Sequence, residues 1–195
     1  MTAAADGGRA RWRRFIPIPL IVALDLWSKH AAFAYLESRP DALVYDVCGH
    51  ERVPVVGEWL ALMRATNPGM AFTLLEDVPW LLVSGRVAAV GLIGWLLWRA
   101  HADQKLFRIA LVCVLGGALG NLHDNLLLPA PPDHPFGEVR DFVDVYIKSF
   151  GSHGPFSNGH FPTFNVADSF ITVGAVLMLI ASFRPQRAPE PVAAP

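Results

Sequence analysis

Four long apolar runs set the pattern of the chain, at residues 15–35, 78–98, 106–128 and 164–183. Each is about 20 residues, which as α-helix gives about 30 Å, the thickness of bilayer hydrocarbon. The pattern therefore predicts four transmembrane helices. Between the first two lies an external segment, 37–77, where Val53 and Val55, then Trp59, Leu60 and Leu62, suggest short strands packed on the membrane surface. The turn from Arg99 to Lys105 is short, so the second and third spans must run antiparallel side by side. Pro129, Pro131, Pro132 and Pro135 end the third helix and open a second long external segment, 129–163. A Pro- and Ala-rich tail at 185–195 is expected to be disordered. The fold class expected is an all-α membrane protein of four transmembrane helices with a small extracytoplasmic β-containing segment and long external loops, forming a single membrane domain over 1–195.

Composition agrees with this. At 195 residues, 53% hydrophobic and 17% charged, the chain is too apolar for an ordinary soluble domain. The net charge of -1 implies no nucleic-acid partner and hides a sorting of charges. Arg9, Arg11, Arg13 and Arg14, then Arg99, Lys105 and Arg108, then Arg184 and Arg187 all fall on one side of a four-span layout. The positive-inside rule makes that side cytoplasmic, with both termini. Asp25 and Lys29 interrupt the first run where a cleavable leader needs an apolar core, and no small-x-small site follows, so it reads as an uncleaved span. Cys48 and Cys113 are expected to be free thiols.

The chemistry lies in the polar residues at membrane depth, where an ionisable group is costly and by default functional. Asp25 and Lys29, four apart, share one helix face and can neutralise each other as a structural ion pair. Gly116, Gly117 and Gly120 allow close helix contact, and Asn121 and Asp124 follow at the outer end of the third span as a polar network able to orient catalytic acids, or as caps. Asp141, in Val139-Arg140-Asp141-Phe142, and Asp168, in Phe164-Asn165-Val166-Ala167-Asp168, come to the same membrane face if the last two spans are neighbours. Paired carboxylates share a proton, leaving one acid and one base for water to attack an amide. A proton or cation conduit would use the same residue type. A zinc protease using His123, His134, His153 or His160 lacks a His-Glu-x-x-His helix, and no metal or cofactor is expected.

Leu24-Asp25 with Lys29, Asn67-Pro68-Gly69-Met70-Ala71-Phe72, Gly116-Gly117-Ala118-Leu119-Gly120-Asn121 with Asp124, and the two aspartate motifs, in this order, resemble the motif set of lipoprotein signal peptidase, bacterial signal peptidase II. The resemblance implies an intramembrane aspartic endopeptidase of the bacterial inner membrane. Its substrate is a prolipoprotein carrying a diacylglyceryl-cysteine, cut just before that cysteine, and its other partners are membrane lipids. It implies catalytic roles for Asp141 and Asp168 and supporting roles for Asp25, Lys29, Asn67, Gly69, Asn121, Asp124, Asn165 and Ala167. A monomer is expected. Where the family carries arginine after the third-span aspartate, this chain has Asn125. Arg86 is the expected replacement for that charge, with Arg64, Arg140 and Lys29 as alternatives.

Overall fold

The computed structural model describes residues 11–45, 51–68, 78–132, 134–147 and 159–183. Helix α1 (Pro17–Glu37) is followed by strands β1 (Val44–Tyr45), β2 (Glu51–Val56) and β3 (Leu60–Asn67). Helices α2 (Pro79–Arg99) and α3 (Lys105–Leu127) come next, then β4 (Val139–Tyr146), β5 (His160–Phe164) and α4 (Val166–Ser182).

Three helices, Arg13–Glu37, Pro79–Arg99 and Lys105–Leu127, are long and apolar enough to cross a membrane. They are also inverted relative to a soluble bundle. Leu20, Trp27, Trp80, Leu92 and Trp95 lie exposed, while the inward stripe of α1 runs Ile18, Ile21, Asp25, Lys29, Ala32 and Leu36, with two charges at its centre. Solvation by lipid explains both observations, since apolar side chains gain nothing by turning away from hydrocarbon and charges must find each other. The fourth helix differs from the expected 164–183 span. It has 17 residues, about 25 Å, because Phe164 ends a strand and Asn165 caps the helix.

The short strands expected in 37–77 are present as β2 and β3, and the second external segment is more ordered than the long loop expected there. One antiparallel sheet of five strands runs in the order β1-β2-β3-β4-β5, so residues 139–146 of the supposed second loop are an inner strand and residues 160–164 an edge strand beside it. Val139-Arg140-Asp141-Phe142-Val143-Asp144 shows no simple alternation because the strand buries Val139, Asp141, Phe142 and Asp144, from both of its faces, and two of these are carboxylates: Asp141 and Asp144 are 2% and 1% exposed. The disorder expected at 185–195, and Cys48, lie outside the described residues. Cys113 is a buried free thiol on α3.

Helix α4 packs antiparallel along α3, and small residues set the distance. A Cβ on Gly117 would collide with the carbonyl oxygen of Ala167, and one on Gly120 would stand 2.5 Å from Asp25 Oδ2. Gly117 is midway along α3, so α4 begins inside the bundle and the sheet caps it from above. At the other end Ile18, Leu97, Ala100, Leu111 and Leu115 form a tight core. There Arg14 closes α2 by donating from Nη1 to the carbonyls of Leu97, Trp98 and Ala100 at 3.1, 3.2 and 2.7 Å.

Candidate active site

The N-terminus of α4 carries the first acid. Asn165 accepts from the Asp168 N–H at 2.9 Å, and Asp168 Oδ2 accepts from the Asn165 N–H at 3.2 Å, a reciprocal capping box. Because the cap fixes both side chains, Asp168 cannot swing freely. Its Oδ1 accepts from Asn121 Nδ2 at 2.8 Å, which ties it to α3.

Asp141 arrives from β4 and is held by the same cap residue. Asn165 Nδ2 donates to Asp141 Oδ1 at 2.6 Å, and Asn67 Nδ2, from the end of β3, approaches Oδ2 at 3.4 Å. Burial first, and then the charge of Asp168, push the Asp141 carboxyl up to about 7, against the bonds from Asn165 and Asn67 and the charge of Lys29.

Beneath the two carboxylates lies a buried ionic network. Lys29 Nζ reaches Asp25 Oδ2 at 2.8 Å, Asp124 Oδ2 at 3.2 Å and Asn121 Oδ1 at 2.9 Å, and Asp25, Lys29 and Asp124 are all fully buried. Asp25 Oδ1 accepts the Ala167 N–H at 2.8 Å, so the first span directly holds the start of α4. The expected Asp25–Lys29 pair is therefore present, but it is one edge of a larger network. Each of its charges has at least one opposite charge within ion-pair distance, which lowers the cost of burying them.

The cation that meets Asp124 from outside the bundle is Arg140. Its Nη2 donates to Asp124 Oδ1 at 2.9 Å and its Nε and backbone N–H donate to Oδ2 at 3.3 and 3.1 Å. Arg86 instead donates to Asn125 Oδ1, and Asn125 Nδ2 donates to the Gly137 carbonyl at 2.8 Å. Arg64 is elsewhere, over the ring of Phe33. Of the alternatives for the missing charge, then, Lys29 and Arg140 sit on Asp124 and Arg86 sits on Asn125.

Asn67, Arg86, Asn121, Asp141 and Asp168 open onto one cavity of about 980 Å³. Its other walls include Val139, Phe161, Phe164, Ile171 and Val173, so a short polar floor is set in an apolar surround. Gly69 and His153 lie outside the described residues. His123 approaches Asp124 at 3.4 Å, His134 bonds the Phe136 carbonyl and His160 bonds Asp144; among the described residues no group of three His, Cys, Asp or Glu is disposed to hold a metal. Arg140, named from the sequence only as an alternative to Arg86, is the one that joins Lys29 on Asp124, and the Asp144 cluster was not singled out by sequence; the charged residues inside the run of β4 were the available signal.

A sequence model of the signal peptidase (SPase) II family matches residues 18–184. The lipoprotein signal peptidase of Cupriavidus pinatubonensis is 34% identical over 172 residues, 85% of this chain and 79% of that protein. That of Syntrophotalea carbinolica is 38% identical over 139 residues, 69% of this chain and 75% of that protein. Among solved structures, a bacterial membrane enzyme determined by the in meso method at 2.3 Å resolution superposes with a TM-score of 0.63 at 22% identity, over 91% of this chain and 94% of that one. That likeness supports the fold.

Proposed function

The chain belongs to the signal peptidase II family, and from that premise we propose that it works as an aspartic endopeptidase inside the membrane, with Asp141 and Asp168 as the catalytic pair. As a lipoprotein signal peptidase it removes signal peptides from prolipoproteins. The observation that carries the aspartic reading is the meeting of two carboxylates on one residue, Asn165, whose side-chain amide donates to Asp141 and whose backbone N–H donates to Asp168, at the floor of an apolar cavity.

In this reading the proton of the pair resides on Asp141, the more buried group, and Asp168 is the base. Asp168 takes a proton from water as the water oxygen bonds to the scissile carbonyl carbon, and Asp141 gives its proton to the carbonyl oxygen. The resulting diol collapses when the leaving nitrogen takes the proton from Asp168 and a diol hydroxyl returns one to Asp141. The C–N bond breaks and the starting protonation is restored. Asn121, Asn165 and Asn67 hold the carboxylates, while Asp25, Lys29 and Asp124 hold the helices that carry them. Arg86 supplies a positive charge on the cavity wall through its seat on Asn125. A proton or cation conduit, the other use of clustered acids, has no support from the family.

The finer topology belongs to the same proposal. Helix α4 completes a fourth crossing, both termini are cytoplasmic, and the cavity faces the outer half of the inner membrane, where a monomer meets its substrate among the lipids. Specificity follows from the anchor. A diacylglyceryl group contributes about 0.8 kcal/mol per buried methylene, so two chains hold the cysteine in the bilayer and confine the scissile bond to the depth of the pair. The test compares initial rates on one prolipoprotein with and without prior lipidation, at equal bilayer concentration, followed by mobility shift. Strong preference for the lipidated form is expected; equal rates would show that the peptide alone is read.

A further inference from the structure

A second buried carboxylate lies on β4 outside the cavity. Asp144 is 1% exposed. Its Oδ1 is 2.8 Å from His160 Nδ1 on β5, and its Oδ2 accepts from Arg52 Nη1 on β2 at 3.0 Å. Arg52 reaches it across β3, where the residue opposite Asp144 is Ala61, small enough to leave the path open. The guanidinium also lies over the Tyr146 ring, and that ring packs on His160.

The position of this cluster matters because the backbone ladder is broken beside it. Val143 pairs with Phe164 and Val145 with Phe161, so two steps along β4 meet three along β5. The extra stretch contains Pro162, which has no N–H to give. At such a step the ladder is locally disrupted, so fewer main-chain bonds hold β5 on β4 there. Yet this register decides the site, because β5 runs into the cap: His160 is five residues from Asn165. Asn165 in turn bonds Asp141 on the facing strand and boxes Asp168.

We propose that Asp144, with His160 and Arg52, is a positioning unit that locks the register of β5 on β4 and thereby sets Asn165 and Asp168 against Asp141. The proposal rests on the catalytic pair named above. It assigns none of the three residues a contact with substrate. A lock of this kind acts on catalysis because a misplacement of about 1 Å at reacting groups costs about 100-fold in rate.

The experiment compares His160→Phe, which keeps an aromatic ring beside Tyr146 but cannot bond Asp144, with His160→Asn, which keeps an N–H donor at the position of Nδ1. The readouts on lipidated prolipoprotein are kcat, KM and the alkaline limb of the pH profile. The groups facing Asp144 are Arg52 and His160, and those bearing on the limb are Asp141, Asp168, Arg86 and Lys29. His160→Phe is expected to lose about 10- to 100-fold in kcat with KM nearly unchanged. Its limb should move to lower pH, as the Asp168 charge withdraws from Asp141. His160→Asn should recover most of the rate. Should His160→Phe fail to accumulate in the membrane, Asp144→Asn, of nearly the same shape, takes its place. A folded variant with wild-type kcat and an unmoved limb overturns the lock. A wild-type enzyme with no limb near pH 7 counts against the catalytic pair instead, and the lock is then judged by the kcat ratio of the Phe and Asn variants.

Discussion

At the scale of single residues, the site is a set of charges whose environments were set apart from one another. Asp141 is pushed up to about 7, well above the ordinary carboxylate range, so its native form binds a proton more tightly than the unfolded chain does. That contribution to stability is fully present below about pH 4 and is lost as pH rises through about 7. Wild-type protein should therefore lose stability between pH 5 and pH 8, by up to a few kcal/mol from this group alone. Asp141→Asn should lose less, and parallel melting curves for the two across that range would argue that the carboxyl is not held in this environment. Arg86 gives a second test. Its partner Asn125 connects it to Gly137 above the cavity, so Arg86→Ala should lower activity about 10-fold or more, and Asn125→Arg in that background should restore part of it. Strict additivity of the two changes would indicate that the sites are uncoupled. The gathering of Asp141, Asp168 and the Asp25, Lys29, Asn121 and Asp124 network was legible in sequence because charge at membrane depth has few structural uses. Arg140 was legible only as one of several cations, since nothing in one dimension says that a strand will deliver it to Asp124.

At the scale of elements, the contact between α3 and α4 fixes the depth of the chemistry. Ala167 lies against the middle of α3 and its N–H is held by Asp25, itself in the middle of α1, so Asp168 enters the bundle rather than standing at its rim. Gly120 is the tightest expression of this, with the Asp25 carboxylate in the space a side chain would fill. Gly120→Ala should displace Asp25 from Lys29 and Ala167 and destabilise the protein by about 1–3 kcal/mol, read as a lowered midpoint in detergent unfolding, with activity falling in parallel. An alanine variant of unchanged stability would mean that the helices are further apart. Helix positions α1 to α3 followed from hydropathy within one or two residues. Strands β2 and β3 followed from the alternation of Val53, Val55, Leu60 and Leu62; β4 and β5 did not, because β4 buries aspartates where a strand pattern calls for valine, and the shorter α4 did not, because Phe164 and Asn165 continue the apolar run while serving as strand end and cap.

At the scale of the whole molecule, three apolar spans, a short fourth helix and a sheet pack together, and residues of α2, α3, α4 and the sheet line a cavity that carries both aspartates. The bundle buries its ions and shows lipid its leucines and tryptophans, so fold and site are a single arrangement: removing the polar network would leave α4 without a seat. The chain's overall class and its family were therefore readable from ordered motifs, while the way the sheet brings β4 over the bundle depended on pairings distant in sequence. The most direct measurement is single-turnover cleavage of a lipidated prolipoprotein by wild-type enzyme, Asp141→Asn and Asp168→Asn in the same bilayer. Each amide keeps the shape of its carboxylate and removes its proton chemistry, so both variants should be folded, bind substrate and cleave at least about 100-fold more slowly. Cleavage by either at a rate near wild type would contradict the account.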